Sequence, residues 1–184
     1  MIVLIGKSGS GKDTVKKNLI ERYNLESVLE YTTRPIRKNE VEGINYHYIS
    51  EKDFFKKTER NEFAAWTCFD TVQGIWYYGS LLKDYKDYKE NGLLITNPSI
   101  LKCLVNRFDY EKLKIKVFYL DVDEYVLYER LKQRGDDEKE AERRIIADRE
   151  DFDLRKIHVD FKINCNNKTA EQIAKEIFDL DIRK

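Results

Sequence analysis

Continuous apolar runs alternate along the chain with segments whose apolar residues recur at helical spacing. Three runs, MIVLI at 1–5, GLLIT at 92–96 and KVFYLDV at 116–122, are apolar on both faces, which predicts strands buried in a parallel sheet. After the first run, KDTVKKNLIERY places Val15 and Leu19 on one side of a predicted helix. This alternation predicts an α/β domain whose central parallel sheet is covered on both faces.

The same patterns predict further elements around this sheet. SVLEYTT and DFKINC are expected as short strands, VLYERLKQR and EAERRIIADREDFD as charged helices, and KTAEQIAKEIFDL as a closing amphipathic helix. Another helix is expected to begin after the N-cap Ser50. Residues 34–80 break the pattern, since they are rich in Tyr, Asn and charge. We therefore expect one domain, 1–184, with a core of 1–33 and 81–184 and an inserted subdomain at 34–80.

Composition narrows the class of protein. The formal net charge is zero and no block of Lys and Arg stands out, so a nucleic-acid partner is not expected. The three cysteines lie far apart and the two histidines are too few for a zinc site. No apolar run reaches the length of a membrane span. These features predict a soluble, cytoplasmic protein without a membrane partner.

A glycine-rich stretch, GKSGSGKDT, lies between the first predicted strand and the first predicted helix. A strand followed by G-x-x-x-x-G-K and a helix is the arrangement of a phosphate-binding loop, or P-loop. Backbone N–H groups of such a loop wrap a phosphate, the helix N-terminus adds partial positive charge, and the Lys reaches the outer phosphates. The predicted ATP-binding residues are Gly6, Ser8, Gly9, Ser10, Gly11, Lys12, Asp13 and Thr14.

Asp13 stands where a P-loop normally has a Ser or Thr that binds Mg²⁺. The candidate strand that should supply an acidic partner ends in Ile95, Thr96 and Asn97, without a carboxylate. We therefore expect Asp13 to bind the Mg²⁺ of MgATP, because a hard cation accepts a carboxylate oxygen readily. Thr14 would then hydrogen-bond the α-phosphate.

A second constellation decides which P-loop family the chain resembles. T-T-R-x-x-R-x-x-E-x-x-G-x-x-Y begins at Thr32, and Y-Y-G-S follows at 77–80. Together with ERLKQRG and INCN, these motifs resemble the guanylate kinases in order along nearly the whole chain. The resemblance implies a P-loop NTPase three-layer sandwich with an inserted nucleoside-monophosphate-binding subdomain and a helical lid at about 134–144.

The resemblance also implies roles for individual residues. Two arginine forks, two phenols and an orienting acid would hold the acceptor phosphate: Arg34, Arg37, Tyr46, Tyr78 and Glu40. Lid arginines would stabilise charge on the transferring phosphoryl group: Arg130, Arg134 and Arg144, the last with Arg143 beside it. Asn164 falls where the family contacts the adenine of ATP. With these, Lys12 and Arg34 complete the expected catalytic set.

The chain departs from the family where guanine is read. Ala65 stands in place of a Glu before the Trp, Ile95 and Asn97 in place of two Asp residues, and Glu30 in place of a Ser. A few extra residues, including Asp70 and Gln73, lie before Tyr77, and Ser80 is retained. Each lost acceptor costs about 1–3 kcal/mol of base discrimination. Either a rebuilt base site reads guanine, or the acceptor is a different molecule; the candidate base-reading residues are Glu30, Asp70, Ser80 and Asn97.

Three functions remain open on this pattern. The first is a guanylate kinase-like nucleoside monophosphate kinase that uses MgATP on GMP or dGMP, as a monomer or homodimer. The second is a kinase for a non-guanine nucleotide or a sugar phosphate, since ribose 1,5-bisphosphate phosphokinases resemble the chain in the G-K-D loop and the Asn-containing strand end. The third is a non-catalytic nucleotide-binding module, which the intact P-loop disfavours.

Overall fold

The continuous apolar runs form a five-stranded parallel sheet in the computed structural model, which describes residues 1–87, 91–107 and 114–182. Neighbouring strands are parallel throughout, as their two-sided apolar faces predict. In spatial order the strands are β2 (Glu26–Val28), β7 (Gly92–Ile95), β1 (Ile2–Ile5), β8 (Lys116–Asp121) and β9 (Phe161–Asn164).

Helices cover both faces of this sheet. Ile2 and Leu4 of the central strand contribute to one buried cluster, and Val3 and Ile5 contribute to another, because side chains alternate across a strand. The helices are α1 (Lys12–Tyr23), α2 (Glu51–Glu59), α3 (Asp84–Asp87), α4 (Pro98–Arg107), α5 (Glu124–Gln133), α6 (Glu138–Asp151) and α7 (Ala170–Ile182). Helices α1, α5, α6 and α7 contribute to the first cluster and α4 to the second, which confirms the predicted α/β layers.

A second sheet projects from the edge of the first. Its strands, in spatial order, are β4 (His47–Tyr48), β3 (Tyr31–Thr32), β6 (Gly74–Leu81) and β5 (Phe63–Thr71). Strands β5 and β6 form a long antiparallel hairpin, and α2 packs on it through the fully buried Phe54. Ser50 caps α2 as predicted, accepting the N–H of Asp53 at 3.1 Å.

The segment SVLEYTT differs from its prediction as one strand. It forms β2 in the parallel sheet and β3 in the second sheet, with Leu29 and Glu30 between them. Two pairing partners decide this, because β2 pairs with β7 whereas β3 pairs with β4 and β6. The crossover brings Glu30 to the boundary between the two sheets.

Within the described residues, no helix combines the length and the apolar composition needed to cross a bilayer.

Candidate active site

The glycine-rich loop joins β1 to α1 at the carboxyl end of the parallel sheet. Gly9 and Gly11 have φ values of 81° and 88°, in the left-handed region that side chains disfavour. A Cβ on Gly9 would also lie only 3.1 Å from the carbonyl oxygen of Leu127. The loop therefore has the backbone conformation that lets successive N–H groups converge at a helix N-terminus.

The Lys12 side chain folds back onto this loop. Its Nζ donates to the carbonyl oxygens of Gly6 at 2.6 Å and Lys7 at 3.0 Å, and to Ser10 Oγ at 3.3 Å. Burial lowers the pKa of Lys12. The sequence predicts that this ammonium reaches the outer phosphates of ATP, so a bound donor has to exchange places with these loop oxygens.

Asp13 and Thr14 open α1 and lie exposed on the wall of the same cavity. The described residues contain no group of three or more His, Cys, Asp or Glu placed to hold a metal ion. At nucleotide sites Mg²⁺ usually takes one or two carboxylates and completes its shell with phosphate oxygens and water. An exposed Asp13 beside the loop fits that donor set.

Glu40 organises the arginines expected to bind the acceptor phosphate. Arg34, with only 3% of its side chain exposed, donates to Glu40 Oε1 at 2.8 Å and to the carbonyl oxygen of Pro35 at 2.9 Å. Glu40 Oε2 accepts from the Arg37 N–H at 3.0 Å and from the Tyr48 hydroxyl at 2.7 Å. Burial opposes both charges, but the hydrogen bonds win, lowering the pKa of Glu40 and raising that of Arg34. Both groups therefore stay ionised.

Two phenols complete this wall of the cavity. Tyr46 and Tyr78 pack edge to face with ring centroids 5.9 Å apart, and the Arg34 guanidinium lies 5.5 Å from the Tyr46 ring centre. Burial raises the pKa of Tyr46 well above its usual value, so its hydroxyl stays a donor. With Arg37, these groups present planar cations and hydroxyls to the cavity, a combination suited to a phosphate monoester.

Glu30 is a buried carboxyl that lines this cavity and links the two sheets. Its Oε1 accepts from Thr96 Oγ1 at 2.5 Å, just beyond β7, and from Ser80 Oγ at 3.3 Å on β6. In the described part of the chain no hydrogen bond reaches Oε2. Burial raises the pKa of Glu30 to about 7, although both hydroxyls and the ammonium of Lys16 favour the charged form.

The lid arginines line the cavity but are paired with acids of their own segment. Arg134 donates to Asp136, Arg143 forms two hydrogen bonds to Glu140 at 2.8 and 3.0 Å, and Arg144 Nε lies 2.7 Å from Glu140 Oε1. All three arginines line the cavity, with their guanidinium groups engaged by carboxylates. On the loop side, Arg130 donates to the carbonyl oxygen of Gly9 at 3.3 Å.

Several predicted site residues do not reach the cavity. Asp70 alternates to the other face of the hairpin from Phe69 and Thr71, both of which line the cavity. Ser80 lies behind Glu30 and is fully buried. Asn164 is exposed at the end of β9, where its Oδ1 accepts the N–H of Asn166.

Asn97 reaches the cavity, but its side-chain oxygen is engaged. Oδ1 accepts the N–H of Ile100 at 3.0 Å, which caps the start of α4. Asn97 therefore offers an amide NH₂ to a ligand, a donor where the family has an acceptor.

One cavity of about 380 Å³ joins the loop, the acceptor wall and the lid. The sequence analysis missed several of its residues, which are Phe69, Thr71, Trp76, Ala147, Asp148, Asp151 and Phe152. A signal for Asp148 was present, because it lies four residues after Arg144 and so on the same helix face. Tyr48 was also missed, although strand alternation places it on the same side as Tyr46.

Comparison with known proteins agrees with this architecture. The guanylate kinase family model matches residues 1–180. A guanylate kinase from Mycoplasmopsis pulmonis is 31% identical over all of this chain and 94% of its own length. One from the onion yellows phytoplasma is 32% identical over 84% of this chain and 73% of its own length.

A solved structure supports the fold. The crystal structure of guanylate kinase from Anaplasma phagocytophilum superimposes with a TM-score of 0.64 at 22% identity, covering 98% of this chain and 84% of that one. The P-loop kinase fold predicted from the sequence is therefore confirmed. On the family match and the full-length relatives, the chain belongs to the guanylate kinase family of nucleoside monophosphate phosphotransferases.

Proposed function

We propose that the protein transfers the γ-phosphoryl group of MgATP to GMP or dGMP, giving ADP and GDP or dGDP. One observation supports this most directly. A single cavity connects the P-loop with the wall formed by Arg34, Arg37, Tyr46 and Tyr78, and lid arginines stand around it. Donor and acceptor phosphates bound at these two ends would face each other.

Catalysis in this proposal consists of positioning and charge stabilisation. The acceptor phosphate oxygen is already a nucleophile, so no covalent enzyme intermediate is needed. Arg34 and Arg37 orient it, with Glu40 holding the arginines from behind. Lys12 and the loop amides hold the donor, while Arg130, Arg134 and Arg144 offset charge on the phosphoryl oxygens. Asp13 would hold the Mg²⁺ of MgATP, which would further neutralise the donor phosphates.

We propose that Glu30 reads the guanine base. Guanine presents two adjacent N–H donors, at N1 and N2, and an ionised carboxylate presents two acceptors. Ala65 stands where the family has a Glu, and it pairs across the hairpin with Ser80. Ser80 donates to Glu30, so the Glu30 carboxylate lies close to the position of the missing one. The carboxylate is thus supplied from the β2–β3 crossover. We propose that the side-chain NH₂ of Asn97 also contacts the base. Asp70 faces away from the cavity, so we propose no contact from it.

The division of the chain into subdomains, the adenine contact, the cellular location and the oligomeric state are also proposals. We divide the chain into a core of 1–33 and 81–184, an acceptor subdomain of 34–80 and a lid near 134–144; the second sheet itself extends from Tyr31 to Leu81. Asn164 remains the proposed adenine contact. We propose a cytoplasmic monomer or homodimer whose partners are small nucleotides, consistent with a net charge of zero.

An acceptor panel tests the proposed function. ADP release from MgATP should be measured with GMP, dGMP, AMP, UMP, CMP, dTMP and ribose 1,5-bisphosphate. A strong response to GMP and dGMP alone is expected. A preference for ribose 1,5-bisphosphate or another base would assign the altered residues to a different acceptor, and ATP binding without any turnover would indicate a binding module.

Replacing Asp13 with Ser tests the proposed metal contact. We expect Mg²⁺ to lower the ATP dissociation constant of the wild type more than that of Asp13→Ser. A Ser hydroxyl can also bind Mg²⁺, but it is neutral and attracts the cation less than a carboxylate does. In EDTA the variant should bind ATP more tightly, since a repelling charge is gone. Calorimetric titration with and without Mg²⁺ gives both numbers, and an unchanged Mg²⁺ effect in Asp13→Ser argues against the contact.

A further inference from the structure

A carboxylate of helix α6 accepts a hydrogen bond from one of the backbone N–H groups of the glycine-rich loop. Asp148 lies near the end of α6, has 8% of its surface exposed, and lines the cavity. Its Oδ2 accepts the backbone N–H of Ser8 at 2.5 Å, although the two residues are 140 positions apart in sequence. Ser8 belongs to the glycine-rich loop, whose N–H groups are the donors that a phosphate would use.

The cationic side chains expected to bind phosphate also have hydrogen-bond or ion-pair partners within the protein. Lys12 is held by loop carbonyls, and Arg143 and Arg144 are paired with Glu140. Asp148 differs from Glu140 in that its carboxylate accepts a hydrogen bond from a backbone N–H of the loop itself. Its charge also favours the protonated form of the nearby Lys12. The carboxylate thus takes one of the N–H groups that such a loop offers to phosphate oxygens.

We propose that Asp148 is an internal competitor of the donor phosphate: its carboxylate accepts the Ser8 N–H and has to leave when ATP binds. One N–H group cannot serve two anions at full strength, and two anions at contact distance repel each other. Asp148 and Arg144 are one helical turn apart on α6, so releasing Asp148 frees the segment that also presents the lid arginine. Donor binding and lid rearrangement are thereby coupled.

Two other roles for Asp148 give different results. If Asp148 only adds negative charge to the cavity, removing any neighbouring carboxylate should change the ATP affinity by the same amount. If it ligates the metal of the nucleotide, its removal should weaken ATP binding in Mg²⁺ and leave the metal-free affinity unharmed. Asp151 supplies the matched control, because it lies on the same helix and lines the same cavity, and no bond from the loop reaches it within the described residues.

The experiment is calorimetric titration of ATP, in EDTA and in Mg²⁺, into the full-length wild type, Asp148→Asn, Asp148→Ala and Asp151→Asn. We expect Asp148→Ala to lower the dissociation constant about tenfold or more beyond Asp151→Asn in both media, since a charge-assisted hydrogen bond no longer competes. Asp148→Asn should lie between, because its amide oxygen can still accept from Ser8. Equal effects of the Asp148 and Asp151 variants, or a loss of affinity confined to Mg²⁺, overturn the proposal.

A measurement on the unmodified protein covers the case in which the variants fail to fold. The ¹³C signal of the Asp148 carboxylate should move on adding ATP, by more than that of Asp151, and an unmoved Asp148 signal overturns the proposal. The inference rests on the proposed donor site, and the two fail differently. If the donor site is wrong, the wild type binds no ATP. If only the inference is wrong, the wild type binds ATP and the Asp148 and Asp151 variants have similar ATP affinities.

Discussion

Replacing Glu30 with Gln should raise the dissociation constant for GMP about a hundredfold at pH 8 while leaving ATP affinity nearly unchanged. In the proposed site the Glu30 carboxylate accepts two guanine N–H groups, and the substitution turns it into an amide that offers one acceptor and one donor. Each lost hydrogen bond to a charged group is worth about 1.5–3 kcal/mol, which gives one to two decades of affinity. Titration of GMP and ATP into both proteins measures the effect, and equal GMP affinities would remove Glu30 from base recognition.

If Glu30 reads the base as proposed, acceptor binding should depend on pH. Burial raises the pKa of Glu30 to about 7, so the acceptor pair is complete only above neutrality. Wild-type affinity for GMP should increase from pH 6 to pH 8, and Glu30→Gln serves as the control for titration of the GMP phosphate itself. Adenine has an acceptor at N1 and a donor at N6, which match a protonated carboxyl. The preference for GMP over AMP should therefore shrink at pH 6.

Ionisation of Glu30 should favour GMP binding but lower the free energy of unfolding. The pKa of this carboxyl rises from 4.5 in the unfolded chain to about 7, so the folded state holds the proton more tightly. The contribution to stability is complete below about pH 4.5 and is lost as the pH rises to about 7, an effect of about 3 kcal/mol. Glu30→Gln should thus melt at a higher temperature than the wild type at pH 8, although it binds GMP less well. A lower Tm at pH 8 would contradict this account.

Replacing Arg34 with Lys should raise the KM for the acceptor by about a hundredfold or more. The planar guanidinium bonds Glu40 and lies against the Tyr46 ring at the same time, and an ammonium cannot keep that geometry. Arg37→Lys is the matched control; its side chain is 34% exposed and should tolerate the change better. Steady-state kinetics with varied GMP and saturating MgATP measures both. Similar KM values for the two variants would show that acceptor binding does not require the planar, buried guanidinium of Arg34.

A double variant separates acceptor binding from stability at this site. Arg34→Met alone leaves Glu40 without its main partner and should cost about 3 kcal/mol of unfolding free energy. Adding Glu40→Gln removes the stranded charge and should recover most of that stability, while acceptor binding stays lost. Chemical denaturation and GMP titration of the three proteins test this. Recovery of GMP binding in the double variant would mean that Arg34 acts only as a structural partner.

The sequence predicted the parts of the molecule that depend on local pattern. Two-sided apolar runs became the parallel sheet, and the glycine loop became a left-handed turn at Gly9 and Gly11, because these outcomes need only neighbouring residues. Contacts between distant segments were harder to foresee. The break of SVLEYTT into two strands depends on partners at β6 and β7, which the local pattern does not contain.

Side-chain pairing in the candidate site was the least predictable feature. Lys12 folds onto its own loop and Asp148 accepts from Ser8, because each buried polar group takes a partner that satisfies it. A P-loop motif indicates contacts to phosphate and contains no information about these internal partners. Asp70 failed to reach the cavity for a simpler reason, since strand alternation in an extended hairpin sends every second side chain outward.

The extended hairpin also places the chain's two tryptophans on opposite faces. Trp76 lines the cavity, whereas Trp66 faces away from it and is 42% exposed. Because indole emission responds to local polarity, Trp66→Phe would leave Trp76 as the single tryptophan, inside the active-site cleft, where it can be excited selectively over the tyrosines. Nucleotide binding could then be followed optically, without a label, and in stopped-flow time.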